Sequence, residues 1–446
     1  MQQSQETPTV PINVITSPFV RFARMEAAGG IMLLLATAAA LIWANSPWNE
    51  TYHEIFQQPL TIGFVRFVVT EDWHGWINDG LMSLFFFLVG LEIKREVLVG
   101  ELSTLGRAAL PFVAALGGMV VPALIYLSIV SHESLARGWA VPISTDIAFT
   151  LGALTFLGHR VPISLKVFVT ALAIVDDIFA VIVIAVFYTS SIHYLSLFLG
   201  LACIVIAFVA NVLGIRRPSV YAFLGILAWC CVLSSGVHAT VAGILLAFTI
   251  PARTLMDKTQ FLEQSRSLLV KLDVAETNSF EEHSILHTLE EKIDLAESPL
   301  YKIEHAMQPW VGFLIMPLFA LANAGVNISG STTTAIRQPA SIGIALGLVV
   351  GKPVGIWLFS FLAVKSRLAS PLAQVRWRHV FGAACLCGIG FTMSIFVAGL
   401  AFNSGQLLEN AKIAILVASF LSAVLGCLVL ARNTESNVTL EERQNI

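Results

Sequence analysis

The chain has few charged residues for its length. Only 12% of its 446 residues are Asp, Glu, Lys or Arg, whereas a soluble globular domain carries about 25%. Hydrophobic residues make up 56% of the sequence, and the mean hydropathy is +0.79. The sequence therefore predicts a polytopic membrane protein.

Two further absences restrict the function. The net charge of -3 leaves no excess of basic residues, so we expect no nucleic-acid partner. The 6 cysteines do not have the spacing of a disulfide framework or a metal site, and we expect no cofactor. The polar N-terminal residues 1–18 lack the apolar core of a cleavable signal, which predicts a retained signal anchor over 27–45.

Long apolar runs recur along the chain and predict an all-α polytopic membrane protein with twelve transmembrane helices. The runs lie near 27–45, 79–98, 106–130, 139–158, 163–188, 194–213, 219–235, 238–251, 309–328, 339–363, 380–402 and 409–431. Basic residues, from Arg21 and Arg24 to Arg432, are concentrated in alternate connections. The positive-inside rule therefore predicts that both termini are cytoplasmic.

These spans divide the chain into five segments. They are a cytoplasmic N-terminal segment (1–26), helices one to eight (27–251), a hydrophilic cytoplasmic insertion (252–304), helices nine to twelve (305–431) and a cytoplasmic tail (432–446).

Two connections are unusual. The outer connection 46–78 contains three tryptophans and a β-prone stretch over 60–70, which predicts a hairpin at the membrane interface or against a second subunit. The acidic insertion has partial helical periodicity over 280–295, which predicts a solvated amphipathic helix. A regulatory role for the insertion is the alternative interpretation.

The stretch ALAIVDDIFA contains two adjacent carboxylates, Asp176 and Asp177, near the middle of the fifth predicted helix. An Asp at a helix centre costs about 2.5 to 3.5 kcal/mol on insertion scales, so the pair opposes insertion by about 5 to 7 kcal/mol. Charges that are retained at such a cost are expected to be functional.

Two predicted helices are interrupted. Pro142 breaks the fourth, and Ser144, Thr145 and Asp146 form a start signal for its second half. The eleventh contains CGIGFTMSIF, where two glycines loosen the helix. Interrupted helices in corresponding halves of a chain predict a binding site at their crossing in an inverted-repeat carrier.

Lys352 lies within the tenth predicted helix, where a buried ammonium needs a carboxylate partner. Asp146, Asp176 and Asp177 are available. Adjacent helix positions point about 100° apart, so we expect one of the paired aspartates to meet Lys352 and the other to face an aqueous cavity. A purely structural salt bridge is the alternative for Lys352, but it leaves the second aspartate unexplained.

A separate charged group ends the second predicted helix, and ordinary interfacial charge explains it from composition alone. The group contains Glu92, Lys94, Arg95 and Glu96. His238, at the start of the eighth predicted helix, can sense pH because imidazole titrates near neutrality. A hydrogen-bonded interfacial histidine is the more common case.

Seven segments carry a family resemblance. They are INDGLMSLFFFLVGLEIKRE (77–96), PISTDIAFTLG (142–152), ALAIVDDIFA (171–180), SGVHAT (235–240), LIMPLFALANAG (314–325), GKPVGI (351–356) and CGIGFTMSIF (387–396). Together they resemble the NhaA-type bacterial sodium/proton antiporters over residues 21–432.

This resemblance implies inverted-topology repeats, formed by helices 3–5 and 10–12, with helices 4 and 11 crossing as discontinuous chains. It implies that Asp176 and Asp177 bind the transported Na⁺ and protons, and that Lys352 pairs with Asp176. Asp146 would offset half-helix dipoles, with Thr145 beside the site.

The resemblance also implies a cytoplasmic pH-response cluster. Its residues would be Glu92, Arg95, Glu96, Glu304 and His305. The chain departs from the pattern at Gln308, where the best-known members carry a histidine, and in its long insertion. These departures affect the expected pH profile and leave the ion site unchanged.

We therefore expect a transporter, not an enzyme, that exchanges cytoplasmic Na⁺ or Li⁺ for external H⁺ electrogenically in the bacterial inner membrane. Its partners would be these ions, membrane lipid and a second copy bound through 46–78. Cation and proton would compete for one carboxylate, which predicts low activity at acidic pH.

Three other functions are less consistent with the sequence. An organic-substrate symporter would need an anchoring Arg at mid-span. An aspartyl protease would need its aspartates on facing helices. A purely structural scaffold would not retain costly buried charge.

Overall fold

The computed structural model describes residues 28–64, 67–189, 192–274, 280–327, 337–402 and 405–432. The predicted N-terminal segment, with Arg21 and Arg24, lies outside the described residues, as does the tail beyond 432.

Helices form most of the described chain. In order, the elements are α1 (Ala28–Ala44), α2 (Asn49–Gln57), β1 (Pro59–Phe64), β2 (Phe67–Asp72), α3 (Trp73–Leu98), α4 (Leu105–Ile129), α5 (Ile147–Phe156), α6 (Ile163–Phe187), α7 (Tyr194–Val212), α8 (Pro218–Leu233), α9 (Thr240–Thr249), α10 (Lys258–Val274), α11 (Phe280–Ala296), α12 (Pro299–Asn323), α13 (Pro339–Lys365), α14 (Trp377–Cys387), α15 (Phe391–Ala401) and α16 (Gln406–Ala431). A 3₁₀ segment, Arg137–Ile143, precedes α5.

The number and length of the apolar helices are those of a multi-pass membrane protein. Among the described residues, 8 helices are long and apolar enough to cross a membrane, or up to 10 if each bent pair is one span. The bent pairs are α1 with α2, at 114°, and α14 with α15, at 47°, while α8 and α9 are apolar but shorter. Each predicted apolar run contains a helix, and the count of twelve spans stays a prediction.

The two unusual connections are both structured. Strands β1 and β2 pair antiparallel, with Pro59 opposite Asp72 and Phe64 opposite Phe67, which confirms the predicted hairpin. In the insertion, α11 confirms the helix predicted over 280–295, and α10 is a helix that the periodicity did not identify.

The described residues form two compact units. The first comprises those within 1–82, 99–189 and 309–446, and the second those within 83–98 and 190–308. The linear division predicted from the sequence, with boundaries after 26, 251, 304 and 431, stays a prediction.

Small residues allow α4 and α13 to pack closely within the first unit. A Cβ atom on Gly355 would collide with the carbonyl oxygen of Gly117, and one on Gly351 would lie 2.9 Å from Cα of Pro122. Small residues at helix interfaces are typical of membrane proteins because they let backbones approach. Because Lys352 directly follows Gly351 on α13, this packing fixes the position of Lys352 relative to α4.

Candidate functional site

The fourth predicted helix is broken as expected. The 3₁₀ segment ends at Ile143, an extended Ser144 follows, and α5 begins after Asp146. Oδ1 of Asp146 accepts a hydrogen bond from the backbone N–H of Phe149 at 3.1 Å. Asp146 is therefore the N-cap of α5, as its position in the sequence predicted.

The eleventh predicted helix is broken at its glycines. Helix α14 ends at Cys387 and α15 begins at Phe391. A Cβ atom on Gly388 would lie only 2.5 Å from the carbonyl oxygen of Leu348, and one on Gly390 would collide with the hydroxyl of Ser394. Glycine is required here because the chain passes very close to its neighbours.

The two breaks meet, as the inverted-repeat interpretation predicted. The backbone N–H of Asp146 donates to the carbonyl oxygen of Ile389 at 2.7 Å. The hydroxyl of Thr145 lies 3.1 Å from the carbonyl oxygen of Cys387, and that of Thr150 lies 3.2 Å from that of Leu386. The carbonyl groups of Ile389 and Leu386, beside one break, thus accept hydrogen bonds from donors beside the other.

Asp146 caps the second half of each broken helix, α5 and α15. Its Oδ2 atom accepts hydrogen bonds from the backbone N–H of Thr392, at 3.1 Å, and from the Thr392 hydroxyl. Thr392 lies in the first turn of α15, so one carboxylate meets the N-terminal ends of α5 and α15. Both ends carry partial positive charge, which a carboxylate offsets.

Lys352 contacts Asp176 as predicted. Its Nζ atom lies 2.9 Å from Oδ2 of Asp176, and both side chains are fully buried. Nζ also donates to the carbonyl oxygen of Ile143, the last residue of the 3₁₀ segment. The ammonium therefore offsets both a carboxylate and the electron-rich end of a broken helix.

The two oxygens of Asp176 have different environments. Oδ2 also accepts a hydrogen bond from the Thr145 hydroxyl at 2.7 Å. Oδ1 is buried and has no hydrogen-bond partner within the part of the chain that the structure describes, and neither has the buried hydroxyl of Ser144. A buried oxygen without a hydrogen-bond partner can hold an additional proton or bind a cation.

Asp177 does not face an aqueous cavity, so that expectation is wrong for this structure. The residue is only 1% exposed. Helix α6, which carries it, packs against α4, α5, α14 and the 3₁₀ segment. Asp176 and Asp177 are therefore both enclosed, although their side chains project in different directions from the helix.

The site has more carboxylates than ammonium groups. Asp146, Asp176 and Asp177 are all buried, as is Lys352. Buried charges are stable only when they are compensated. The helix ends offset the charge of Asp146, and the ammonium of Lys352 offsets that of Asp176.

Part of the predicted pH-response cluster assembles in the second unit. Nη2 of Arg95 lies 3.1 Å from Oε1 of Glu96, and Nη1 of Arg95 lies 3.2 Å from Oε1 of Glu304. Glu304 is buried. Glu92 interacts electrostatically with all three. These contacts bring four of the predicted residues together, and their role in pH response stays a prediction.

The two histidines of the prediction have other surroundings. His305 is exposed, and its ring lies parallel to that of Tyr301 with the centroids 6.2 Å apart. His238 is half-buried just before α9. Their roles also stay predictions.

Thr392 is the main residue that sequence reasoning missed. Thr392 is the second residue of α15, after Gly390 at the N-cap position, so it does not form a capping signal that the sequence would show. Its acceptor also lies 246 residues away in the chain. Only the crossing of the two breaks identifies Asp146 as that acceptor.

Comparison with known proteins identifies the family. A family model described as Na+/H+ antiporter 1 matches residues 20–430. The Na(+)/H(+) antiporter NhaA of Koribacter versatilis is 57% identical over 431 residues, which cover 97% of this chain and 95% of that protein. Two further relatives with the same description are 45% identical over 426 residues (Oleidesulfovibrio alaskensis, 94% and 95% covered) and 44% identical over 436 residues (Rhodospirillum rubrum, 96% and 100% covered). Together with the crossed helix breaks and the buried Asp176–Lys352 pair, these matches establish that the chain belongs to the Na+/H+ antiporter 1 family.

Proposed function

We propose that this protein exchanges cytoplasmic Na⁺ or Li⁺ for external H⁺ across the bacterial inner membrane. Membership of the family and the descriptions of the relatives support sodium/proton exchange. The observation that carries the assignment to a site is the enclosed Asp176–Asp177 pair beside the crossing of two broken helices. The protein moves ions and has no enzymatic reaction.

Exchange follows from competition at a carboxylate. Carboxylate oxygens are suitable ligands for hard cations such as Na⁺, but an oxygen that holds a proton cannot also bind the cation. Asp177 is the proposed ligand for both ions, and Asp176 contributes its free Oδ1 atom. Binding of one ion therefore releases the other without a separate coupling device.

The remaining residues hold the site and its charge. Lys352 and Thr145 orient Asp176 through Oδ2, and Asp146 joins the two helix starts. Electrogenic exchange requires unequal numbers of protons and monovalent cations in each cycle, and two adjacent carboxylates would provide two proton sites for one cation. Rocking of the two repeats would then expose the site to each side in turn.

We also propose the topology, the dimer and the regulatory cluster that the sequence predicted. Basic residues in alternate connections support cytoplasmic termini, which makes the β1–β2 hairpin external. A two-stranded hairpin is marginal alone and has unpaired edges, which supports contact with a second copy through 46–78. The Glu92, Arg95, Glu96 and Glu304 group is the proposed site of pH response, with His305 and His238 as further contributors.

Proton movement in everted membrane vesicles tests this function. With the wild-type protein, we expect added Na⁺ or Li⁺ to dissipate an imposed proton gradient. With Asp177→Asn, the gradient should persist. Asp273→Asn is the matched control, since Asp273 is exposed on α10, and it should behave as wild type. Full Na⁺-dependent proton movement by Asp177→Asn would falsify the proposal.

Electrogenicity has its own test in sealed proteoliposomes. At fixed internal and external ion concentrations, an imposed membrane potential should change the exchange rate. A potential of one sign should accelerate exchange, and a potential of the opposite sign should slow it. A rate that does not respond to the potential would contradict electrogenic exchange while leaving the ion site unaffected.

A further inference from the structure

A cavity of about 510 Å³, lined by both polar and apolar side chains, lies in the first unit, away from the ion site. It is bordered by α2, by the end of β2 and the start of α3, by the end of α12 with the chain that follows it, and by the start of α16. The polar side chains that line it include Tyr52, His53, Asp72, His74, Glu409 and Lys412. None of these residues takes part in the proposed exchange reaction.

Lys412 is the most unusual residue of this cavity. It is only 6% exposed, and its ammonium donates no hydrogen bond to any residue in the described ranges. The nearest carboxylate oxygen, Oε1 of Glu409, is 3.9 Å away, beyond hydrogen-bonding distance. A buried ammonium in this position requires a further acceptor, and the cavity has room for one.

The start of α16 adds a second feature that favours an anion. Gly405 has a φ of 87° and turns the chain into a helix of 26 residues. Gly405 and Leu408 line the cavity. The first backbone N–H groups of a helix have no partner within it and bind phosphate groups well.

Negative charge is present at the same cavity. Asp72 and Glu409 both line it, and Asp72 uses Oδ1 to cap the turn at Gly75, at 2.7 Å. A simple anion would be repelled by these carboxylates, and a metal cation by Lys412. A ligand that carries a phosphate and a primary ammonium a few bonds apart matches both sets of charges.

The surroundings of the cavity indicate the depth of lipid headgroups. Helix α2 is turned by 114° from α1, so when α1 crosses the membrane, α2 lies close to the membrane plane. Trp48 and Trp73 are 71% and 45% exposed next to these segments. Exposed tryptophans are concentrated where apolar chains meet headgroups.

We propose that this cavity binds the phosphoethanolamine headgroup of a membrane lipid, in the leaflet that the proposed topology makes external. Lys412 and the first N–H groups of α16 contact the phosphate. Glu409 and Asp72 accept hydrogen bonds from the primary ammonium of the headgroup.

The bound headgroup would link three elements of the first unit. The hydroxyl of Tyr52, on α2, donates to the carbonyl oxygens of Leu321 and Ala322 at 2.7 and 3.1 Å. A Cβ atom on Gly325 would collide with the Tyr52 ring. Helix α2 therefore already covers the end of α12, and the headgroup extends this contact to α16.

Lipid retention tests the proposal on the full-length protein. Delipidated protein is incubated with phosphatidylethanolamine, phosphatidylcholine or phosphatidylglycerol of matched acyl chains, and bound lipid is counted by native mass spectrometry. We expect phosphatidylethanolamine to be retained about tenfold more tightly than the others, since trimethylation removes the ammonium donors and glycerol lacks the charge.

Variants connect retention to the cavity. Lys412→Gln should weaken retention of all three lipids, because it removes a contact to the phosphate that they share, while Lys412→Arg should keep retention. Glu409→Gln should lose the preference for phosphatidylethanolamine, because it removes an acceptor for the ammonium. Lys258→Gln, at an exposed position on α10, is the matched control. Equal binding of the three lipids by the wild type, unchanged retention by Lys412→Gln, or an unchanged preference in Glu409→Gln overturns the proposal.

Soluble O-phosphoethanolamine separates the two sources of this chemistry. A rise in thermal midpoint with the soluble compound in detergent means that the headgroup alone is sufficient. A rise with phosphatidylethanolamine only means that the acyl chains are also required, and the site is then a lipid site. A rise with neither compound also overturns the proposal.

Discussion

Thr392 donates both its backbone N–H and its hydroxyl to Oδ2 of Asp146, while Oδ1 of the same carboxylate caps α5. One buried side chain therefore joins the starts of two half-helices that are far apart in the chain. Because the contact is made by a charge and aligned backbone dipoles, it fixes the position of the crossing more sharply than apolar packing would.

The first prediction concerns the Thr392 hydroxyl. In Thr392→Val the shape of the side chain is kept, but Asp146 loses a hydrogen bond to a buried charge, which costs about 1.5 to 3 kcal/mol. We expect a lower thermal midpoint in detergent and slower exchange, because the crossing lies beside Asp176.

Thr37→Val is the matched control for that variant. The Thr37 hydroxyl is also buried, but it donates to the carbonyl oxygen of Leu33 within the same helix, at 2.7 Å. Its loss should change stability much less, because no charge is left with a missing donor. Equal losses in the two variants would show that Asp146 does not depend on the Thr392 hydroxyl.

The breaks and the charge pair could be predicted from the sequence because they depend on local chemistry. Pro142 cannot continue a helix, Gly388 loosens one, and the buried ammonium of Lys352 requires a carboxylate. The enclosure of Asp177 could not be predicted in this way. It depends on which helices surround α6, and a single sequence does not specify that arrangement.

The second prediction concerns the Lys352–Asp176 pair. Lys352→Met leaves the Asp176 carboxylate buried without its ammonium, and breaking a buried pair from one side costs about 3 to 5 kcal/mol. We expect a large fall in the thermal midpoint of this variant, and exchange that is slower or lost.

A double variant separates charge from packing. Lys352→Met combined with Asp176→Asn removes both charges, so it should recover most of the stability that the single Lys352 substitution loses. Thermal midpoints of the four proteins give the coupling. Strictly additive losses would mean that the 2.9 Å contact contributes nothing.

The third prediction compares Gly388, in one of the two breaks, with Gly399, near the end of α15. In Gly388→Ala the new methyl group would lie 2.5 Å from the carbonyl oxygen of Leu348, and such overpacking costs about 1 to 3 kcal/mol. Gly399 has nothing within 4 Å of an added Cβ atom. Gly399→Ala should therefore keep exchange activity and the thermal midpoint, while Gly388→Ala lowers both. Similar behaviour of the two variants would contradict the close approach of the chain at the break.

The fourth prediction concerns the cytoplasmic insertion. The backbone N–H groups of Leu255 and Met256 donate to the carbonyl oxygen of Leu295 at 3.0 and 3.1 Å, so the two ends of the helical hairpin meet. A short Gly/Ser linker can therefore replace residues 258–293.

We expect the shortened protein to fold and to keep its maximal exchange rate, since the ion site lies in the first unit. Exchange measured across pH then tests regulation, because a shifted profile with an unchanged maximal rate would assign the insertion a regulatory role. Loss of exchange in correctly inserted protein would refute the prediction.

The fifth prediction is the direction of the pH dependence. A protonated carboxylate cannot bind the cation, so exchange should be present at alkaline pH and lost as the pH falls. The apparent KM for Na⁺ should rise by up to about tenfold for each unit of acidification if only the Asp177 proton competes with Na⁺, and by up to about a hundredfold if both aspartates must lose a proton. The rate at saturating Na⁺ should change little. Currents from proteoliposomes at several Na⁺ concentrations and pH values measure both quantities.

Loss of the rate at saturating Na⁺ at acidic pH, with a constant KM, would instead indicate a separate pH-dependent switch. The same measurement on Arg95→Gln would then show whether the group of Glu92, Arg95, Glu96 and Glu304 is that switch.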